Sequence, residues 1–161
     1  MGKYEWSQLT TLQVGKYAEY FVKMEFTLHG FDVYTSEVDD KGVDFVVCDD
    51  SREHYYDVQV KSVRNLNYIF FRKEYFVLRE NLLAAVVMLA DSKPPELYLI
   101  PSNVWLQPNS LFVSRDYGPP KKSKPEWGLN LSQRNYPLLA AFSFDKTVDS
   151  LRRSSLNRPA F

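Results

Sequence analysis

The chain lacks most of the features that would tie it to a membrane or an oxidising compartment. It holds one cysteine among 161 residues, so no intramolecular disulfide can form. Its longest apolar run, residues 82–90, is too short to cross a bilayer, and the N-terminus has no basic-then-apolar signal pattern. A glycine-rich phosphate-binding motif is also missing, which argues against nucleotide-driven activity. These absences predict a cytoplasmic protein without a membrane partner.

The chain also lacks an excess of charge of either sign. Lys plus Arg and Asp plus Glu number 20 each, which argues against tight nonspecific binding to nucleic acid. Zero net charge is still compatible with a local positive surface, although each such charge could equally be solvated surface. The basic residues that could contact phosphates are Arg64, Arg72, Lys73, Lys121, Lys122 and Lys124, followed by Arg152, Arg153 and Arg158 near the C-terminus. For the last three we favour solvated surface.

A β-hairpin is predicted from residues 42–47 and 55–62, which are separated by a polar turn. Alternation along the second strand places Val58 and Val60 on one face and Asp57, Gln59 and Lys61 on the other. Asp44 precedes an otherwise apolar strand, where a carboxylate has no packing value. The pattern has two interpretations: a metal-dependent phosphodiesterase site, or the polar side of a half-buried edge strand.

A helix is predicted over residues 12–29, before the hairpin. Thr10 or Thr11 can cap its N-terminus, and Gly30 can end it. Its apolar side is expected to contain Val14, Ala18, Phe21, Val22 and Leu28. Glu19 lies at the edge of that side. If the helix packs on the hairpin sheet, Glu19 can reach the same cleft as Asp44.

These segments together resemble the PD-(D/E)XK nuclease superfamily. The order is a helix with Glu19, a strand over residues 30–34, a strand beginning at Asp44, and a strand ending in the triplet Gln59-Val60-Lys61. The layout is most similar to the small resolvase-type and intron-encoded endonucleases, some of which carry Gln at the position of the second acid. The similarity covers about the first 65 residues, and Gln59 departs from the Glu or Asp of most members.

The resemblance implies a fold and a set of site residues. The fold is α/β with a restriction-endonuclease-like αβββαβ core, in which helices flank a mixed central sheet. The catalytic residues would be Glu19, Asp44, Gln59 and Lys61. Asp44, Gln59 and Glu19 would hold Mg²⁺ or Mn²⁺, because these cations prefer hard oxygen ligands. Lys61 would orient the attacking water or stabilise the charged transition state.

Two functions follow from this resemblance. The first is a metal-dependent endonuclease that acts on DNA in preference to RNA, and that could work as a homodimer. The second is a catalytically inactive relative that binds nucleic acid or protein, such as an immunity-type inhibitor, in which Gln59 marks a degraded site.

The rest of the chain predicts the remainder of an α/β sandwich. We expect an extended segment at 68–71, a short helix or turn at 73–81, and a fully buried strand at 82–89, for which a buried helix is the alternative. A turn at 91–95, a strand at 96–100 and a helical turn after Ser102 follow. Residues 117–135 predict a long lysine-rich loop whose Trp127 either stacks on a base or, as we favour, packs into the core. Residues 136–144 and 145–153 have apolar periodicity, and Asp145 could cap a helix.

We expect a single domain spanning residues 1–161. Its core would cover about residues 10–106, and residues 107–161 would form a C-terminal elaboration. Within it, Cys48 is expected to be buried and inert, whereas His29 and His54 are too isolated to predict a zinc site or a catalytic dyad. Residues 39–42 predict a turn, because they lack the ligand spacing of a calcium loop.

Overall fold

A computed structural model describes residues 1–37 and 42–157. Most of the turn predicted at 39–42 and Arg158 lie outside these residues. The elements, in chain order, are α1 (Thr11–Leu28), β1 (Asp32–Tyr34), β2 (Phe45–Cys48), β3 (Tyr55–Arg64), β4 (Ile69–Arg72), β5 (Leu82–Leu89), β6 (Glu96–Pro101), β7 (Phe112–Arg115), β8 (Glu126–Leu129) and α2 (Phe144–Leu156). Short 3₁₀ segments occupy Trp6–Gln8, Ser102–Leu106 and Tyr136–Phe142.

The strands form two sheets. The central sheet has the strand order β1-β2-β3-β5-β6, and it is mixed because β3 and β5 run parallel whereas the other pairs are antiparallel. The small sheet has the order β4-β8-β7 and is antiparallel throughout. Both helices contact the central sheet. The predicted α/β architecture with a mixed central sheet is therefore confirmed.

The central sheet is buried on both faces. Strand β5 is buried at every residue, so the prediction of a central strand at 82–89 is confirmed and the helical alternative is wrong. Leu83, Ala85 and Val87 face the core shared with α1 and α2, and Ala84 and Val86 face the core shared with the small sheet. A strand that is buried on both sides has to be apolar along its whole length, which explains the continuous run.

Helix α1 begins with a capping box, in which the Thr10 side chain accepts from the Gln13 backbone and the Gln13 side chain accepts from the Thr10 backbone. It ends before Gly30, whose φ is +81°. The buried stripe contains the predicted Val14, Ala18 and Val22, and Phe21 packs against its edge. Leu28 was assigned wrongly: its side chain is 78% exposed, and Phe26 fills the stripe instead.

The segment between β3 and β5 contains the predicted extended stretch, as β4, but not the second helix of the expected αβββαβ core. Of the two alternatives for residues 73–81, a short helix or a turn, the turn is confirmed, at 73–75 and 80–81. The 117–135 segment is not one long loop, because β8 lies within it and pairs with β4. Trp127, in β8, packs against the core shared with the small sheet, as we favoured, and its Nε1 donates to the Phe76 carbonyl at 3.2 Å.

Other local predictions have mixed outcomes. Cys48 is fully buried, as expected. Asp145 lies in the first turn of α2, and Ser143 occupies the cap position instead. His54 contacts Asp49 at 2.8 Å in the turn between β2 and β3. Of the helices among the described residues, none is long and apolar enough to qualify as a membrane span.

Gly42 precedes β2 and lies against the backbone of Tyr75, and a substitution can test this contact. Its φ is +89°, and an added Cβ would lie 2.6 Å from the Tyr75 carbonyl oxygen. We expect Gly42→Ala to lower the free energy of unfolding by about 2–3 kcal/mol, because both the backbone conformation and the contact exclude a side chain. Chemical denaturation followed by circular dichroism measures this loss.

Gly15 is the matched control. It lies on the exposed side of α1 with no atom within 4 Å of an added Cβ. Gly15→Ala should raise the free energy of unfolding by about 0.5–1 kcal/mol, because alanine favours a helix interior. Equal effects of the two substitutions would contradict the contact between Gly42 and Tyr75.

Candidate functional site

The register between β2 and β3 places Asp44 opposite Gln59. Phe45 pairs with Val58, and Asp44 directly precedes Phe45. The Asp44 backbone N–H donates to the Val58 carbonyl at 2.8 Å. Its carboxylate Oδ2 accepts from the Val60 N–H at 2.6 Å. Strand β3 therefore fixes both the backbone and the side chain of Asp44.

The alternation predicted for β3 is present. Val58 is fully buried in the core beside the helices. Gln59 pairs in register with Ala84 and Lys61 with Val86, both of which face the other core. Asp57 precedes them at the same spacing, but its Oδ2 forms an ion pair with Arg79 Nη2 at 2.6 Å. The Asp57 charge is thus already compensated within the protein.

Gln59 has an unusual environment for an amide. Its Oε1 is buried and has no hydrogen-bond partner. A buried acceptor without a donor costs about 1–3 kcal/mol, so such atoms are rare in folded proteins. A ligand or ion that contacts this oxygen would remove the penalty.

Lys61 lies beside Gln59 on the same face of β3. Burial lowers the pKa of the Lys61 ammonium, the negative charge of Asp44 partly opposes the shift, and Arg72 adds to it. Its Nζ lies 5.7 Å from the centroid of the Phe71 ring in β4. Among the described residues, no carboxylate forms an ion pair with Lys61. The ammonium is therefore not neutralised by a direct partner in that part of the chain.

Asp44 has the opposite perturbation. Its side chain reaches solvent, but surrounding atoms remove part of its hydration, and this partial burial raises the pKa of Asp44 above the usual aspartate range. The Val60 N–H counteracts the shift, and the negative charge of Glu19 adds to it. The effect of Glu19 on this pKa agrees with the packing of α1 on β3, which brings the helix to the strand that holds Asp44.

Glu19 is held by two lysines of its own helix. Its carboxylate contacts Lys16 Nζ at 3.1 Å and Lys23 Nζ at 2.9 Å. Burial raises the pKa of Glu19, but the two ammonium groups outweigh burial, and the net pKa lies below the usual range. Sequence reasoning missed both lysines, although their spacing of three and four residues from Glu19 is the known signal of helical ion pairs.

The site as a whole has more positive than negative side chains. Glu19 and Asp44 face three lysines, at positions 16, 23 and 61. No group of three or more His, Cys, Asp or Glu side chains suited to a metal occurs within residues 1–37 and 42–157. A cation here would therefore have Asp44 as its main anionic ligand, with Gln59 as a neutral one.

The basic residues predicted to bind nucleic acid lie in different environments. Arg64 donates to the Leu9 carbonyl at 2.8 Å and so anchors the segment before α1. Lys73 binds Ser114 and Asp116, and its Nζ lies 4.0 Å from the Trp127 ring centroid. Arg72 is half exposed, and Lys124 Nζ lies 3.9 Å from Glu74. Lys121 and Lys122 are exposed in the loop before β8.

These residues converge on one end of the small sheet. Arg72 pairs in register with Glu126, and the Lys73 N–H donates to the Pro125 carbonyl at 3.0 Å. The loop containing Lys121, Lys122 and Lys124 therefore emerges beside the end of β4. Arg64 is the exception, because its guanidinium is committed to the N-terminal segment.

Replacement of Asp44 by Asn tests the electrostatics of the site. The folded-state pKa is raised, so ionised Asp44 lowers stability at pH 7, and this cost disappears below the ordinary aspartate pKa of about 4. Asp44→Asn should raise the free energy of unfolding at pH 7 by less than about 1 kcal/mol, since solvent screens the exposed carboxylate. The gain should shrink as the pH falls and should vanish below about 4.

Asp50→Asn, in the exposed turn after β2, is the control for charge removal alone. Thermal melting of both variants across this pH range measures the difference. A gain at pH 7 that is the same for both variants would contradict the assigned environment of Asp44.

Comparisons with known proteins show the fold of the chain. No protein-family model matches it, and no curated protein matches it in sequence. Among solved structures, it is similar to Hjc, a Holliday junction resolvase from the archaeal hyperthermophile Archaeoglobus fulgidus, with a TM-score of 0.51 and 12% sequence identity. The match covers 84% of this chain and 95% of the resolvase chain. The similarity confirms the predicted restriction-endonuclease-like fold class, with helices flanking a mixed central sheet.

Proposed function

We propose that this protein is a metal-dependent nuclease that hydrolyses phosphodiester bonds in DNA, with Glu19, Asp44, Gln59 and Lys61 as its site residues. The observation that carries the proposal is the buried Gln59 Oε1, which has no hydrogen-bond partner and lies in register with Asp44 and next along the same face to Lys61. A purely structural strand would gain stability by replacing this amide with an apolar group. The fold shared with a DNA resolvase supports the same conclusion.

The donor set suits Mg²⁺ or Mn²⁺. Asp44 offers a carboxylate and Gln59 an amide oxygen, both of which are hard ligands, and the unsatisfied Oε1 would gain a partner when the ion binds. The cation, when bound, would supply charge neutralisation at the phosphoryl oxygens of the substrate. Asp44 would hold it through the strand geometry already fixed by Val58 and Val60.

Lys61 would act directly on the substrate. Its Nζ carries a positive charge in a partly dehydrated position, where a phosphoryl oxygen is a stronger partner than it would be in water. Arrival of a phosphate would favour the charged ammonium, which would then orient the attacking water or stabilise the charged transition state.

Glu19 is proposed as the third oxygen ligand. It would have to turn from Lys16 and Lys23 toward the cation, and the two released ammonium groups could then contact backbone phosphates. Arg72, Lys73, Lys121, Lys122 and Lys124 are proposed to bind DNA beyond the site, whereas Arg64 keeps a structural role in this proposal. Homodimerisation, a cytoplasmic location and a single domain over residues 1–161 stay predictions.

A second candidate is supported by the same ion pairs. Because Lys16 and Lys23 neutralise Glu19 and Arg79 neutralises Asp57, the site offers one carboxylate without a lysine or arginine partner among the described residues. That balance suits a module that binds phosphate without cutting it. The two candidates make different predictions for cleavage.

Cleavage by purified protein in Mg²⁺ or Mn²⁺ tests the proposal. Linear, nicked, branched and single-stranded DNA and RNA are the substrates. We expect Asp44→Ala and Lys61→Ala each to lower the rate of DNA cleavage by a factor of about 10² or more. The first removes the main ligand of the metal ion, and the second removes the ammonium that would stabilise the charged transition state. Asp50→Ala, in the exposed turn, is the matched control and should cleave as the unaltered protein does.

Cleavage that persists in both site variants would exclude the assigned residues. DNA binding without cleavage of any substrate, in either metal, would favour the non-catalytic candidate.

Gln59→Glu gives a separate prediction for metal binding. A carboxylate at this position adds a negative ligand opposite Asp44, so Mn²⁺ affinity measured by calorimetry should rise about tenfold or more. Gln59→Leu, which removes the amide oxygen, should lower the affinity. The proposal fails if the two substitutions leave Mn²⁺ affinity unchanged.

A further inference from the structure

A row of alternating aromatic and cationic side chains begins on β4 and follows the outer side of the small sheet. We call it the stacking row, and its members in spatial order are Phe70, Tyr68, Arg115, Tyr117 and Lys121. The rings of Phe70 and Tyr68 are nearly parallel, with centroids 6.3 Å apart. The Arg115 guanidinium lies 4.1 Å from the Tyr68 centroid, and Lys121 Nζ lies 5.6 Å from the Tyr117 centroid. Tyr117 raises the pKa of Arg115, so its hydroxyl lies near the guanidinium and links the two halves.

Tyr68 is fixed in place from below. Its ring lies directly over Gly128 in β8, where an added Cβ would approach the ring atoms to 2.5 Å. Its hydroxyl donates to the carboxylate of Glu126, which is buried, and loss of hydration together with this bond raises the pKa of Tyr68. The absence of a side chain at 128 is what allows the ring to lie against β8. Tyr68 is thus held in place before any ligand arrives.

The row presents flat groups to solvent. Phe70 is 42% exposed, although an aromatic ring normally gains free energy by burial. Arg115 is also exposed, and its guanidinium lies over the Tyr68 ring. Trp127, the aromatic residue that the sequence suggested for stacking, points instead to the core and is covered by Lys73.

The surroundings are positive in a chain whose net charge is zero. Residues 68–74 and 112–127 together contain six basic and three acidic residues. One of those acids, Glu126, is buried beneath Tyr68 and is not presented to solvent. A polyanion would therefore find here both an excess of cations and unoccupied flat faces.

We propose that the stacking row binds single-stranded DNA, with bases stacked on Phe70 and on the Arg115 guanidinium and with phosphates near Lys121 and Arg72. Aromatic rings interleaved with cations along a groove or face are the chemistry that recognises unpaired nucleotides. Duplex DNA offers no free base faces and would use only the charges. The row and the candidate site lie on opposite faces of β4, because Phe70 is exposed whereas Phe71, whose ring centroid is 5.7 Å from Lys61 Nζ, is buried. This inference extends the proposed function by assigning it substrates with an unpaired segment.

Fluorescence anisotropy in EDTA tests the row without cleavage. The probes are a labelled single strand of about 16 nucleotides, the upper end of known site sizes, and the corresponding duplex. Phe70→Ala and Arg115→Ala should each weaken single-strand binding about tenfold, the loss expected for one stacked base. Duplex binding should change about twofold or less for Phe70→Ala, which removes no charge.

Conservative substitutions separate stacking from bulk and charge. Phe70→Leu keeps apolar volume and Arg115→Lys keeps the positive charge, but both remove the flat face. We expect each to resemble the corresponding alanine variant in single-strand affinity. Full binding by both would overturn the proposal, because volume and charge alone would then suffice.

Matched controls come from the β1 side of the central sheet rather than from the small sheet. Tyr34 on β1 is 48% exposed, and Arg52 has a side chain that is 79% exposed. Tyr34→Ala and Arg52→Ala should bind the single strand as the unaltered protein does. Equal losses in these controls would also overturn the proposal.

The outcome is independent of catalysis. Asp44→Ala should keep single-strand binding in EDTA. If the protein binds single strands through the row but never cuts DNA, the proposed nuclease activity is wrong and the proposed binding by the row still holds. If the protein cuts DNA but the Phe70 and Arg115 variants bind single strands without loss, the proposed binding by the row is wrong and the proposed nuclease activity still holds.

Discussion

The candidate site depends on the way β3 holds Asp44. Two main-chain groups of β3, the Val58 carbonyl and the Val60 N–H, bind the backbone and carboxylate of one aspartate. Val58 is buried against the helices, so the strand cannot rotate or slip by one residue without exposing it. The same constraint turns Gln59 and Lys61 to the other face. Hydrophobic burial on one side of a strand thereby sets the positions of the polar groups on the other.

Three polar groups of the site, Asp44, Gln59 and Lys61, lack a neighbour that fully compensates for their lost hydration. Burial lowers the pKa of Lys61 and partial burial raises that of Asp44, so each group has lost hydration that its neighbours do not fully replace. Gln59 adds an acceptor without a donor. Glu19, by contrast, is fully compensated by two lysines. Under the proposed function, a metal ion and a phosphate would supply the cation and the anion that these groups lack.

Much of this could be predicted from the sequence, and the rest depends on contacts between distant segments. Local patterns predicted α1, the hairpin and the buried strand β5 because capping, alternation and apolar runs act over a few residues. Strands β7 and β8 were missed because each has four residues, and β8 includes a glycine that only its packing against Tyr68 explains. Leu28 and Phe26 differ by two positions on one helix, which periodicity alone does not resolve. The unsatisfied Gln59 oxygen is visible only once its surroundings are in place.

The pairing of β4 with β8 also has a consequence during synthesis of the chain. Ile69 pairs with Leu129, so β4 has no partner in the small sheet until residues 126–129 have left the ribosome. Until then the apolar side of β5 that contains Ala84 and Val86 lacks part of its cover, whereas α1 can already protect the opposite side. Folding from the N-terminus would therefore leave a half-covered sheet as its intermediate. The C-terminal third of the chain is therefore needed to complete the cover of the central sheet.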